Sequence, residues 1–200
     1  MDEIVEMFHL TRGVRDVIHV TYEHIQKGPM TEMFDGHRYP IDADIKLPQS
    51  VANQFKSIQE MLEGYGLDPE ALEHCQAALT DLEDIYRNVI YWNAVATLEA
   101  GQVWRWQTEV STEYLRLVQA RCPPALVVMA YYGAATSAVR TAWYTQQFGE
   151  YTVRGISAEL DPSMQHWTIW PMQQVEERMA VLGSNPAQSE SIYPKPLIGF

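Results

Sequence analysis

P-P-A-L-V-V-M-A-Y-Y-G-A-A-T-S-A, residues 123–138, is the longest charge-free run in the chain, bounded by Arg121 and Arg140. Two leading prolines suit a helix start, because Pro at the first helical position gives up a hydrogen bond that would not form there anyway. Behind them almost every position is apolar, as in a helix buried on all sides rather than one lying on a surface. Ala130, Gly133, Ala134, Ala135 and Ala138 are small, so a neighbouring element or a ligand can approach the backbone closely. Tyr131 and Tyr132 add rings with polar tips. The run is too short for a membrane span, which needs ~20 apolar residues.

Outward from this run the spacing is helical throughout. Towards the C-terminus, Thr141 to Leu160 carries Trp143, Tyr144, Phe148, Tyr151, Val153 and Ile156 and closes at Asp161-Pro162. An apolar unit from Trp167 to Met172 leads into a short helix ending near Leu182. Gly183 to Pro196 is rich in Ser and Pro, and residues 183–200 are expected to form a flexible tail. Towards the N-terminus, Ser111 is a cap-like step into a helix with Tyr114, Leu115 and Val118. The stretch from Gly101 to Val110 holds Trp104-Arg105-Trp106. A long helix from Asp68-Pro69-Glu70 to about Leu98 keeps a 3- and 4-residue rhythm, with an acidic outer face of Glu70, Glu73, Asp81 and Asp84. Ser50 is expected to cap a helix to Glu63 whose apolar stripe is Phe55, Ile58 and Leu62. Residues 30–49 read as a loop. Asp2 to Lys27 reads as a helix with Ile4, Phe8, Val14, Val17, Ile18 and Ile25 on its apolar face, interrupted by Gly13 and stopped by Gly28-Pro29. No stretch alternates with period two over strand length. The predicted fold is all-α, a bundle of about six to seven helices in one domain over residues 1–182, with an apolar pocket beside the central small-residue helix.

Two hundred residues suffice for one sizeable core, and a hydrophobic content of 46% is in the globular range. A net charge of −12 without a basic cluster disfavours direct nucleic-acid binding. Cys75 and Cys122 form no C-x-x-C pair and read as buried reduced thiols. The acidic start M-D-E-I-V-E lacks the pattern of a signal peptide, so cytoplasm or nucleus is expected, with no membrane span.

The chemistry is sparse. The six histidines show no H-x-H or H-x-x-x-H spacing; His19 and His24 lie about 500° apart around a helix, so no metal site is expected. There is no G-x-S-x-G, phosphate loop or dinucleotide fingerprint, and no cofactor is expected. General acid–base work needs only one or two titratable groups in a dry cavity, for which His9, Arg105, Tyr131 and Tyr132 are the main candidates, with Arg12, Glu99 and Arg140 behind them. For each, a structural role is the simpler account. The rings of Trp104, Trp106, Tyr131, Tyr132, Trp143, Tyr144, Trp167 and Trp170 either line a pocket or fill the core.

Five segments occur in an order that resembles a known family: T-R-G-V-R-D-V at 11–17 with K-G-P-M at 27–30; Trp104-Arg105-Trp106; R-C-P-P-A-L-V-V-M-A-Y-Y-G at 121–133; W-Y-T-Q-Q-F-G-E-Y at 143–151; and L-D-P with W-T-I-W-P between 160 and 171. The order resembles the C-terminal half of the regulatory domain in fungal sterol uptake control regulators, the zinc-cluster transcription factors that sense ergosterol. The resemblance covers roughly residues 4–175. It implies an all-α domain with a deep apolar pocket for a sterol-like ligand, lined partly by the helix matching Ala125 to Ala135.

Taken with the aromatic positions, the expected ligand-binding set is Trp104, Trp106, Val127, Ala130, Tyr131, Gly133, Ala134, Trp143 and Phe148. This sequence departs from the pattern in three ways. It has no six-cysteine zinc cluster, it has no counterpart of the helices that precede the R-G-V-R region, and it carries Gln147-Phe148 where the family has Gly-Trp. Expected partners are an apolar small molecule and either a second copy or a protein covering the missing front half. The leading functional expectation is a stand-alone sterol- or terpenoid-binding domain. The alternative is a cofactor-independent cyclase or isomerase of fungal secondary metabolism that re-uses the pocket.

Overall fold

The computed structural model describes residues 2–25, 45–95, 98, 100–139 and 143–182. Among these residues the chain is all-helical. Eight α-helices are present: α1 (Asp2–Ile25), α2 (Gln49–Gly64), α3 (Pro69–Val95), α4 (Ala100–Glu109), α5 (Thr112–Gln119), α6 (Pro123–Thr136), α7 (Trp143–Glu159) and α8 (Ile169–Glu176). Short 3-10 turns at Gln165–Thr168 and Ala180–Leu182 flank α8. The count exceeds the expected six to seven because the stretch ahead of the Ser111 step forms a helix of its own, α4.

Local chemistry explains most boundaries. Asp68 Oδ1 accepts the Ala71 N–H at 3.0 Å and Pro69 occupies the first helical position of α3. Ser111 Oγ accepts the Tyr114 N–H at 3.0 Å and starts α5. Ser50 does not cap α2. The helix starts one residue earlier, with the Pro48 carbonyl accepting from Val51 and Ala52 at 2.9 Å. After Gly64, a turn through Gly66 at φ +85° supplies the left-handed step for which glycine is suited. At the end of α5 the same step falls on Arg121 at φ 58°. There the Cys122 and Arg121 N–H groups close onto the Leu117 and Val118 carbonyls in a Schellman arrangement, without glycine.

α6 is the axis of the bundle. Every residue from Pro124 to Thr136 is buried, and the helix packs against α2, α3, α4, α5, α7 and α8. One continuous apolar core runs from Ile4 in α1 to Leu182. α2 contributes Val51, Phe55, Ile58 and Leu62, and α3 contributes Cys75, Leu79, Leu82, Ile85, Tyr86 and Val89. α1 lies across α4 and α5, burying Ile4, Val5 and Phe8. Two expectations for α1 need correcting. The helix runs through Gly13 unbroken, and Val17 points to solvent rather than to the core.

At the α6–α7 crossing glycine faces glycine. A Cβ at Gly149 would stand 2.5 Å from the Gly133 carbonyl oxygen and 2.6 Å from Thr136 Oγ1, and one at Gly133 would meet Thr152 and Val153 at 3.1 Å. Predicted features at 26–44 and 183–200, including the Gly28-Pro29 stop and the tail, lie outside the described residues, as do Glu99, Arg140 and Thr141.

Candidate functional site

Consecutive residues on a helix point about 100° apart, and α6 uses this to send Tyr131 and Tyr132 into two separate aromatic groups. Tyr131 stacks on Trp170 (centroids 5.0 Å apart, 14° between planes) beside Phe55, and its hydroxyl donates to Gln54 Oε1 at 2.8 Å. Behind it, the Tyr86 hydroxyl donates to the Tyr131 carbonyl at 2.8 Å. This group is hydrogen-bonded within itself.

Tyr132 sits in the other group, which we treat as the candidate site. Trp106 stacks on it at 4.4 Å and 25°. Phe8 stands edge-on to both rings, 5.9 Å from Trp106 and 5.8 Å from Tyr132. Phe148 lies 6.1 Å from Tyr132, and Trp104 lies 6.4 Å from Phe148. Phe8, Trp106 and Tyr132 are fully buried, whereas Trp104 and Phe148 are half-buried and form the rim. The Trp106 indole N–H is committed to the Ala78 carbonyl at 3.0 Å.

Two polar atoms inside this cage have no partner: the Tyr132 hydroxyl and Gln107 Nε2. Gln107 is fully buried. Its Oε1 lies 2.9 Å from Thr11 Oγ1, whose single proton is shared between it and the Met7 carbonyl at 2.9 Å, and its backbone carbonyl accepts from Arg12 Nε at 3.1 Å, which ties α4 to α1. Burial drives the Tyr132 phenol pKa upward, and the nearby Gln107 amide opposes part of that rise without being aligned as a hydrogen bond to it. The phenol is therefore neutral and a donor. Turning the Gln107 amide end for end would let Nε2 donate to Thr11 and Oε1 accept from Tyr132, an isosteric arrangement closed on itself. In the orientation present, an N–H and an O–H are both left to give. An unpaired buried hydroxyl costs about 1–3 kcal/mol.

The expected site residues divide accordingly. Trp104, Trp106, Tyr132 and Phe148 come together. Tyr131 is turned to the other side of α6. Gly133 faces α7, its open side taken up by Thr152 and Val153. Val127, Ala130 and Ala134 are buried in α6. Trp143 begins α7, and its side chain lies outside the described residues. The acid–base candidates do not converge: His9 is exposed on α1, Arg105 pairs with Glu109 at 3.0 Å on the surface, and Tyr131 is bonded to Gln54.

The sequence reading missed Phe8 and Gln107 as members of the cage. The signal for Gln107 was available, since Val103, Trp106 and Gln107 stand at i, i+3 and i+4 and therefore share one face, on which a glutamine is the exception. Among the described residues no group of three His, Cys, Asp or Glu is placed to hold a metal ion. No described helix is long and apolar enough to cross a membrane. Three clefts lined by described residues lie elsewhere: about 610 Å³ between Ile4 and the Tyr151–Arg154 side of α7, about 560 Å³ between Ser157 and Gln173, and about 230 Å³ by Ser137 and Arg178.

The two aromatic groups share a titration behaviour with the thiols. Burial, with smaller contributions from Cys122 and Asp68, pushes the Cys75 thiol up to about 12 from 9.0. The Tyr86, Tyr114, Tyr131 and Tyr132 phenols are all raised above 10.0, chiefly by burial. The folded chain holds these protons after the unfolded chain has released them. Stability is therefore complete below the unfolded thiol's value of 9.0 and falls as pH rises from there towards 12. Urea midpoints measured between about pH 8 and 11 are expected to decline from about pH 9 onward; a flat profile would contradict the burial of these groups.

Family models, curated proteins and solved structures give no match to this chain.

Proposed function

We propose that this chain is a binding module for an apolar small molecule of sterol or terpenoid type, carrying one oxygen that is read by Gln107 and Tyr132. The observation that carries the reading is the pair of unpartnered buried donors inside the ring cage of Phe8, Trp104, Trp106, Tyr132 and Phe148. Rings bury the guest's carbon skeleton, and the N–H and O–H converge on a ketone or hydroxyl oxygen, the division of labour typical of small-molecule sites. The ordered motifs that resemble fungal sterol uptake control regulators support the same ligand class. In this reading the guest enters at the half-buried rim rings, Phe148 and Trp104.

Tyr132→Phe separates the parts of this reading. Removing a hydroxyl that has no partner is expected to raise the stability of the ligand-free chain by about 1 kcal/mol. The same change is expected to weaken binding roughly tenfold, the worth of one hydrogen bond to an otherwise unpaired group. Purified chain is titrated with ergosterol, a terpenoid ketone and a matching hydrocarbon without oxygen, following tryptophan fluorescence and melting temperature. Saturable quenching with a thermal shift is expected for the oxygenated compounds only. Absence of saturable binding by all three would end the reading. A stability loss in Tyr132→Phe would mean that the Gln107 amide is reversed and the cage is closed on itself.

A further inference from the structure

The polar atoms around the ring cage differ in what they give and what they take. Gln107 and Tyr132 are fully buried, and the atoms they leave unpartnered, an amide N–H and a phenol O–H, are both donors. Acceptors beside them already receive protons. The Ala78 carbonyl takes the Trp106 indole N–H at 3.0 Å, the Gln107 carbonyl takes Arg12 Nε at 3.1 Å, and the Gly133 carbonyl takes Thr136 Oγ1 at 2.7 Å. Gln107 Oε1 is engaged by the proton that Thr11 Oγ1 shares with the Met7 carbonyl. The phenol oxygen is the acceptor left among the rings. Among the described residues the other buried side-chain oxygens without a partner are those of Thr152 in α7 and Gln174 in α8.

The two donors stand side by side. Gln107 is the side chain whose hydrogen bonding bears on the Tyr132 phenol, and it acts against the effect of burial, as an N–H turned towards the phenol oxygen does. Neither donor is aligned on the other, so one guest oxygen is placed to meet both.

Against such a wall a carbonyl and a hydroxyl are not equivalent. A carbonyl oxygen has two lone pairs and no proton, so it takes the Gln107 N–H and the Tyr132 O–H together. A hydroxyl brings a further proton to a set already short of acceptors. It either accepts from both donors and leaves its own proton idle, or donates to the phenol oxygen and leaves the phenol proton idle. One buried donor stays unmade in each arrangement, which is worth roughly tenfold in affinity.

We infer that the cage selects a ketone of sterol or terpenoid skeleton over the alcohol of the same skeleton. This selectivity rests on the binding function proposed above and adds to it the oxidation state of the guest's oxygen.

The full chain is titrated with cholestanone and cholestanol, and with menthone and menthol, following tryptophan fluorescence. Each ketone is expected to bind roughly tenfold more tightly than its alcohol after both affinities are corrected for partition between water and octanol. Gln107→Glu puts an oxygen where Nε2 stands and so gives the alcohol's proton an acceptor; the ketone-to-alcohol ratio is expected to fall to about one or below. Melting temperature shows whether this variant is folded, and the corrected wild-type ratio decides the matter if it is not. Equal affinities in the wild type, or a tighter alcohol, would overturn the selectivity and leave the binding function standing. A ratio unchanged in folded Gln107→Glu would overturn it too, since the preference would then not come from the amide. Binding of none of the four compounds would end both.

Discussion

Gly149→Ala is expected to destabilise the fold by about 3 kcal/mol, lowering the melting temperature by roughly 10 °C, although helix propensity alone predicts a gain of about 1 kcal/mol. The new methyl carbon would lie 2.5 Å from the Gly133 carbonyl oxygen and 2.6 Å from Thr136 Oγ1. Neither oxygen can move aside. Thr136 Oγ1 donates to that same carbonyl at 2.7 Å, and the carbonyl belongs to a helix buried all round. Relief requires α7 to lift from α6 by roughly 1 Å, which loosens dispersion contacts along the whole crossing. Gly155 provides the control. It is in the same helix, a Cβ there meets nothing within 4 Å, and Gly155→Ala should gain up to about 1 kcal/mol. Denaturant titrations of the two variants are expected to shift in opposite directions. A shift in the same direction for both would show that the close approach is not limiting.

Trp106→Ala is expected to cost about 4 kcal/mol, a large share of the 5–15 kcal/mol available to a domain. The indole is fully buried, is stacked on Tyr132, meets Phe8 and Tyr114 edge-on, and donates to the Ala78 carbonyl. Truncation leaves a cavity shared by α1, α3, α4, α5 and α6 and a carbonyl without its donor. Free indole has the shape and the N–H to refill that space, so millimolar indole is expected to raise the variant's melting temperature while leaving the wild type unchanged. A loss below about 1 kcal/mol would mean that the cage collapses readily around the gap.

How far the chain can be read without coordinates depends on whether the cause is local. The burial of α6 follows from its composition, and the starts at Asp68 and Ser111 follow from side chains acting on backbone three residues away. Ser50 failed as a cap because the Pro48 carbonyl had already taken the first N–H groups of α2. Tyr131 and Tyr132 could be assigned to the core as a pair, but not to different partners. Those partners come from α2, α3 and α8 on one side and from α1, α4 and α7 on the other, and pairings between distant segments leave no mark in a single sequence. A glycine inside a helix is ordinarily a weakness, and only the close approach to the Gly133 carbonyl makes Gly149 a requirement. Val17 fits an apolar helical pattern, yet it stands on the exposed side of α1.

Arg12 gives α1 a place in time as well as in space. Its guanidinium reaches the Gln107 and Val110 carbonyls and Thr112 Oγ1, Phe8 packs on Trp106 and Tyr132, and Glu3 accepts from the Tyr151 hydroxyl at 2.7 Å. All of these anchors are translated about a hundred residues or more after α1 itself. At ribosomal speeds of ~5–20 residues per second, α1 waits on the order of ten seconds for its docking site. α1 is thus made well before the surfaces that seat it, and a chaperone that shields Ile4, Val5 and Phe8 during that interval would act on folding yield without touching the finished protein.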